Sequence, residues 1–265
     1  MPCDAVAPPV VDRMARQPGG NRGNWLPVAM LAIGTFAIGT DVFVVAGVLG
    51  GLAGDLNVTV GVAGLTVTVF ALAYAIGAPL LSVLPGARHV RPVLIGSLAL
   101  FGLFNLTSAV APSLGVLVGS RVLSALVASV YVPVAGAAAV AGVSATQRGR
   151  AFAVVLGGSS VAMVLGAPLG VLLAEAYSWR VAFDLVAGLA AVTALGLWPV
   201  ALGPQAAPLL LGLNSSAIHR GFAAGAFMGG QVVDTTGPVQ LWVLAVTCCG
   251  AGLVLHTLLT RRSRP

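Results

Sequence analysis

The chain has 265 residues, of which 58% are hydrophobic and only 8% are charged, and its mean hydropathy is +1.02. Because a soluble fold of this length needs far more charged surface, the composition excludes a soluble globular protein. The formal net charge is +6, but its arginines are scattered over short polar segments without interleaved aromatic residues, which argues against nucleic-acid binding.

Eight predominantly apolar stretches follow one another along the chain, each near the length of about 20 residues that a helix needs to cross a bilayer. They run roughly over residues 26–52, 60–84, 92–112, 114–142, 150–175, 181–202, 207–232 and 238–260. Ala135–Ala141 is apolar without the alternation that a membrane β-barrel requires. We therefore predict an all-α polytopic membrane protein with about eight transmembrane helices.

The arginines predict the orientation, because basic residues in short loops stay on the cytoplasmic side of a membrane. Ten of the thirteen lie in the N-terminal tail, between spans 2 and 3, between spans 4 and 5, and at the C-terminus. We expect a multi-pass protein of the plasma (cytoplasmic, or cell inner) membrane with both termini in the cytoplasm. Its natural partner is the lipid bilayer, with an anionic inner leaflet.

No enzyme signature is present in the sequence: it has no phosphate-binding loop, no metal-ligand cluster and no Ser-His-Asp set with suitable spacing. Cys3 lies in the polar tail, and Cys248 and Cys249 are adjacent in an apolar stretch, so they predict neither a metal site nor a disulfide. We expect no catalytic residue, no metal and no cofactor.

Short segments between about residues 30 and 195 match one transporter family in order. They are Gly39–Val44 in the first span, Asp55–Thr59 before the second, Phe70–Pro79 within it, Ala111–Ser113 and Arg121–Leu123 around the fourth, Arg148–Ala151 and Gly166–Gly170 in the fifth, and Trp179–Phe183 opening the sixth. Together they resemble the N-terminal six-helix half of a major facilitator superfamily transporter. The resemblance is to drug:proton antiporters with twelve helices and to their chloramphenicol and sugar efflux relatives.

After the sixth span the resemblance passes directly to helices 11 and 12 of that family, so helices 7 to 10 are expected to be absent. The resemblance implies a cytoplasmic tail (1–25), a six-helix bundle (26–202), a short cytoplasmic connector (203–206), two helices (207–260) and a second tail (261–265). The loop between spans 2 and 3 holds Gly86, Arg88, His89 and Arg91. His89 stands where the family has a carboxylate, which puts the family's charge-pair gating at this loop in doubt.

Asp41 lies about 15 residues into the first span, where a carboxylate is costly and burial favours its protonated form. It is a candidate for proton coupling or for binding a cationic substrate, the alternative being a helix-end residue solvated by an outer vestibule. Arg121 resembles the family's helix-4 arginine, which is implicated in proton transfer or in a polar network. Its alternative role is structural, paired with backbone carbonyls or another carboxylate.

The fifth span contains four residues that resemble the antiporter motif in degenerate form, although small residues at such positions also serve packing. They are Gly158, Gly166, Pro168 and Gly170. Four further polar or aromatic residues are cavity-lining candidates, with packing as the alternative: Tyr74, Asn105, Tyr131 and Gln231.

Two further clusters contain charged residues, and the first is weighed as a structural ion pair against a substrate contact. Glu175, Arg180 and Asp184 are expected to form a structural ion pair near the outer turn between spans 5 and 6. In the seventh span, Arg220 follows His219, and we expect it to face the bundle or a water-filled cavity.

The resemblance implies a secondary transporter that exports a small hydrophobic or cationic compound against proton entry, so its partners would be a small-molecule substrate and protons. Transporters of this kind form their site between two six-helix halves, and here the second half has two helices. The alternatives are therefore a non-transporting remnant, or a membrane interaction protein that needs a partner or self-association as a homo-oligomer.

The topology can be tested with reporter fusions. Fusions after Arg150 and after Arg262 are expected to report a cytoplasmic location, and one after Asn57 an external location, because of the arginine distribution. An external C-terminus would contradict this orientation.

Overall fold

The computed structural model describes residues 25–81, 90–199, 202, 208–236 and 247. Within these residues the chain forms seven α-helices, one short 3₁₀ turn and no β-strand. The helices are α1 (Trp25–Asp55), α2 (Val60–Leu81), α3 (Val90–Ala109), α4 (Leu114–Ala141), α5 (Arg148–Ala176), α6 (Trp179–Leu197) and α7 (Pro208–Thr236). The prediction of an all-α polytopic membrane protein is confirmed.

Six of these helices, α1 to α6, are long and apolar enough to cross a membrane. The seventh is 29 residues long, but it has His219 and Arg220 near its middle and is less apolar than the other six. That α7 spans the bilayer therefore stays a prediction, and the eighth predicted span, 238–260, lies outside the described residues. The sixth helix ends at Leu197 rather than at residue 202, because Pro199 has no N–H with which to continue the ladder.

The helices pack as a bundle with α1 and α4 most deeply buried. The first helix packs mainly against α5 and α6, α2 packs against α4 and α7, and α3 packs against α4 and α6. Leucine, valine and aromatic side chains from α1 to α6 form one continuous apolar core. Since lipid offers backbone groups no hydrogen-bond partner, regular helices are the form that such segments adopt.

Glycines set the distance between α1 and α5, which approach each other so closely that backbone meets backbone. A Cβ atom at Gly170 would overlap the carbonyl of Val44, and one at Gly47 would overlap the carbonyl of Ala167. Near the other end of α5, the Thr35 hydroxyl donates a hydrogen bond of 2.5 Å to a backbone carbonyl of α5. Close approach replaces the hydrophobic driving force that helices lack in lipid.

An ion pair joins the ends of α1 and α6 at the side of the bundle predicted to be external. Arg180 Nη2 lies 3.1 Å from Asp55 Oδ2, and the same oxygen accepts a hydrogen bond of 3.0 Å from Trp179 Nε1. Arg180 also donates to two backbone carbonyls at and just after the end of α3. The expected ion pair therefore forms with Asp55 and not with Glu175 or Asp184, because the α1 terminus meets the α6 terminus here.

The close approach of α1 and α5 predicts opposite effects for two alanine substitutions in α5. Gly170→Ala should lower the unfolding free energy by about 1–3 kcal/mol, the usual penalty of overpacking. Gly157→Ala, where an added Cβ meets open space, should be neutral or raise it by up to about 1 kcal/mol through helix propensity. Thermal unfolding in mild detergent measures both, and equal behaviour of the two variants would contradict the interface.

Candidate functional site

A carboxylate and a guanidinium meet in the interior of the bundle. Asp41 on α1 and Arg121 on α4 form an ion pair, with 2.6 Å between Arg121 Nη1 and Asp41 Oδ1. Their side chains are 0% and 1% exposed, respectively. The structure thus brings together the two residues that the sequence marked for proton coupling.

Aromatic rings from two other helices surround the guanidinium. Arg121 Cζ lies 4.3 Å from the centroid of the Phe70 ring on α2 and 5.6 Å from that of the Phe183 ring on α6. A cation over an aromatic face is attracted by the ring quadrupole, and more strongly when water is excluded. Four helices therefore combine to hold one buried positive charge.

The ion pair leaves some hydrogen-bonding capacity unused. Among the described residues, no hydrogen-bond partner contacts Asp41 Oδ2 or Arg121 Nε, nor the buried atoms Asn105 Oδ1 and Ser124 Oγ. Buried polar atoms usually have a partner, so each exception calls for a structural or functional explanation. The second oxygen of Asp41 can accept a proton without first losing a hydrogen bond.

A cavity of about 300 Å³ has walls from α1, α2, α4, α5 and α7, and neither Asp41 nor Arg121 is among its lining residues. Gly39 and Val42 line its α1 wall, and Tyr74 lines its α2 wall. Such a volume is at the small end of the range of about 300–1,000 Å³ typical of ligand pockets. The site therefore suits a small molecule.

The seventh helix forms one wall of this cavity. The ring of His219 stacks on that of Tyr74, with 3.6 Å between centroids and 12° between planes. One turn earlier, the Ser216 hydroxyl donates a hydrogen bond of 2.5 Å to the Ala75 carbonyl on α2. The seventh helix thus packs over parts of α2 and α4.

Aromatic contacts connect the ion pair to the cavity. Phe70, which lies against Arg121, is also 6.3 Å from Tyr74 between ring centroids. Tyr74 in turn stacks on His219. A series of ring contacts therefore links Arg121 to the cavity wall.

The model of the Major Facilitator Superfamily matches residues 31–260, which is most of the chain. This chain belongs to the Major Facilitator Superfamily. Membership in that superfamily supports the expectation that the chain is not an enzyme.

Among relatives, the chain is 36% identical over 249 residues to a chloramphenicol resistance protein of Streptomyces lividans, covering 86% of this chain and 64% of that protein. It is 33% identical over 172 residues to the inner membrane transport protein YdhP of Escherichia coli (strain K12), covering 65% of this chain and 44% of that protein. The chain thus spans about half to two thirds of the length of these curated relatives.

A solved structure of the proton:xylose symporter XylE, bound to 6-bromo-6-deoxy-D-glucose, has the same fold. The TM-score is 0.57 at 15% sequence identity, and the match covers 83% of this chain and 55% of that one. At this identity the likeness concerns the fold alone.

The four cavity-lining candidates of this superfamily member differ in location. Tyr74 lines the cavity. Asn105 is buried in α3 and donates to a carbonyl of its own helix, and Tyr131 is buried in α4 and donates to a carbonyl of α1 over 3.3 Å. Gln231 is exposed near the end of α7. The last three are not among the residues that line the cavity.

The antiporter-like residues of α5 lie mainly at the interface with α1. A Cβ at Gly158 would overlap a backbone carbonyl of α1, one at Gly166 would lie 2.7 Å from the Cβ of Phe43, and Gly170 behaves similarly. Pro168 lies in the same helix and is exposed. Packing thus accounts for the three glycines, and their role in antiport stays a prediction.

Of the loop between spans 2 and 3, Gly86, Arg88 and His89 lie outside the described residues. Arg91 is in the first turn of α3, where its Cζ lies 5.8 Å from the centroid of the Trp198 ring. An arginine over a tryptophan at the end of a spanning helix is typical of the membrane interface.

Of the two positions expected for Arg220, the one facing the bundle is wrong, and the one facing a water-filled cavity stays a prediction. Arg220 is exposed, whereas Ser216 and Ala223 are buried and His219 is largely enclosed. Residues three and four apart share a helix face, so positions 216, 219 and 223 point to the bundle and position 220 points away.

Three residues of the site were not predicted from the sequence: His219, Phe70 and Phe183. The spacing of Phe70 and Tyr74, four residues apart on one helix, was a usable signal that they share a face. No local pattern indicates that His219 stacks on Tyr74, because the two residues are 145 positions apart in the chain.

The buried ion pair predicts strong coupling between two neutralising substitutions. Asp41→Asn and Arg121→Gln should each lower the unfolding free energy by about 3–5 kcal/mol, since each leaves one buried charge without a counterion. The double variant should lose much less than the sum of both. Denaturation in detergent of all four forms completes the cycle, and additive losses would contradict the pairing.

Proposed function

We propose that the chain is a secondary active transporter that exports a small hydrophobic or cationic compound in exchange for protons, in the manner of drug, chloramphenicol or sugar efflux proteins. We place it in the plasma membrane with both termini in the cytoplasm, on the basis of the arginine distribution. Asp41 is the proton carrier, and Arg121 is its counterion.

The observation that carries this proposal is the fully buried Asp41–Arg121 pair, which ring contacts through Phe70 link to the cavity. A carboxylate in such a place is expensive, and buried ionisable groups in membrane helices mark proton and substrate pathways. Protonation of Asp41 removes its charge and releases Arg121 from the pair. The contacts of Arg121 with Phe70, and of Phe70 with Tyr74, then pass the change to the cavity wall.

Two further observations support export of a small drug-like compound. The cavity is small and mostly apolar, and a relative with 36% identity is named a chloramphenicol resistance protein. Chloramphenicol is therefore the first compound to test.

A second reading is a chain that transports nothing alone, either as a remnant or as a membrane interaction protein that acts through self-association. One observation favours it, because α5 is the least buried of the six apolar helices. On this reading the apolar face of α5 and the neighbouring parts of α1, α2 and α4 meet a second copy.

Export is tested in everted membrane vesicles, in which an imposed proton gradient drives the uptake of the compound. We expect the chain to drive chloramphenicol uptake into such vesicles, and Asp41→Asn to abolish it, since a neutral amide cannot alternate between charge states. Glu175→Gln is the matched control, because it neutralises an exposed carboxylate at the end of α5. It should retain uptake at equal protein level.

Undiminished uptake by Asp41→Asn would exclude the proton role of this residue. Absence of uptake by the unmodified chain, together with a dimeric mass in detergent, would support the second reading. A monodisperse monomer that lowers drug accumulation in cells would exclude it.

A further inference from the structure

The side chains that line the cavity beside α7 limit the class of compound that it can bind. We propose that it binds an uncharged compound with a planar aromatic ring and a hydrogen-bond donor, and that His219 is the residue that positions this compound. The inference rests on the proposed function only in using the same cavity.

The charges around the cavity favour an uncharged ligand. Among the described residues that line the cavity there is no aspartate, glutamate, lysine or arginine. The carboxylate of Asp41 does not line the cavity, because it points to Arg121 and is fully buried in that pair. A cationic ligand would lose its hydration without gaining a counterion, which is strongly unfavourable in an apolar site. The cavity therefore favours an uncharged ligand over a cation.

Four rings form one part of the cavity wall. His219 stacks on Tyr74 and meets Phe222 edge to face, with 5.5 Å between ring centroids. Phe222 meets Phe43 of α1 in the same way at 5.9 Å. All four rings line the cavity. Rings held in stacked and edge-to-face contacts offer a further planar ring the same favourable geometries.

Three side chains that line the cavity can form hydrogen bonds with a ligand. His219 Nδ1 lies 2.9 Å from the carbonyl oxygen of Ser215, which can only accept, so Nδ1 carries the proton. In the neutral ring Nε2 is then an acceptor, suited to a hydroxyl or amide N–H of a ligand. On the α5 wall, the hydroxyls of Ser159 and Ser160 make only long bonds of 3.4 and 3.5 Å to carbonyls. Bonds of that length are weak, so both hydroxyls can turn to a ligand.

The experiment measures binding to the purified chain in detergent by equilibrium dialysis, with no transport involved. One probe is chloramphenicol, an uncharged nitrophenyl compound with hydroxyl and amide donors. The other is the trimethylammonium derivative of its parent amine, which keeps the ring and the hydroxyls but has a permanent positive charge. We expect chloramphenicol to bind at least about tenfold more tightly, because the cation has no counterion in the cavity.

Variants of His219 separate its two contributions. His219→Phe keeps a ring against Tyr74 but lacks Nε2, and should weaken chloramphenicol binding about fivefold, the usual effect of one hydrogen bond. His219→Ala lacks both and should weaken it about tenfold or more. Gln231→Ala, an exposed change on the same helix, is the matched control and should bind as the unmodified chain does.

Equal or tighter binding of the cation, binding of neither probe, or unchanged affinity in His219→Ala would each overturn the inference. A chain that binds chloramphenicol in this pattern but exports nothing would leave the inference standing and refute the proposed function. A chain that exports by means of Asp41 but prefers the cation would do the reverse.

Discussion

A buried ion pair organises this bundle. Asp41 and Arg121 come from helices that are far apart in the chain, and neither charge is stable in an apolar interior without the other. Their contact fixes α1 against α4, and the rings of Phe70 and Phe183 bring α2 and α6 to the same point. The ion pair and the two rings beside Arg121 thus bring four of the helices together at one point.

Close packing of α1 on α5 forms one side of the cavity. Gly47 and Gly170 allow the two backbones to touch, so the α5 serines reach the same space as Gly39 and Val42 of α1. The seventh helix then forms a further wall and is held there by Ser216 and the stacked ring of His219. The described residues of five helices therefore line one small cavity.

Helices and family could be read from the sequence, because hydrophobic length is a local property and the family motifs are contiguous. Asp41 and Arg121 stood out for a similar reason, since a charge inside an apolar span is rare. The Tyr74–His219 stack, the Asp55–Arg180 pair and the exposed position of Arg220 depend on how distant helices rotate against each other. Many rotations satisfy the same hydrophobic pattern, so tertiary packing alone decides these contacts.

The central claim is that Asp41 exchanges a proton while Arg121 remains charged beside it. Infrared difference spectroscopy on the purified chain tests this directly, because a protonated carboxylic acid has a carbonyl stretch that a carboxylate lacks. On acidification, the spectrum of the unmodified chain should contain a component of this band that is missing in Asp41→Asn and retained in Glu175→Gln. A band of the same size in all three proteins would contradict the account.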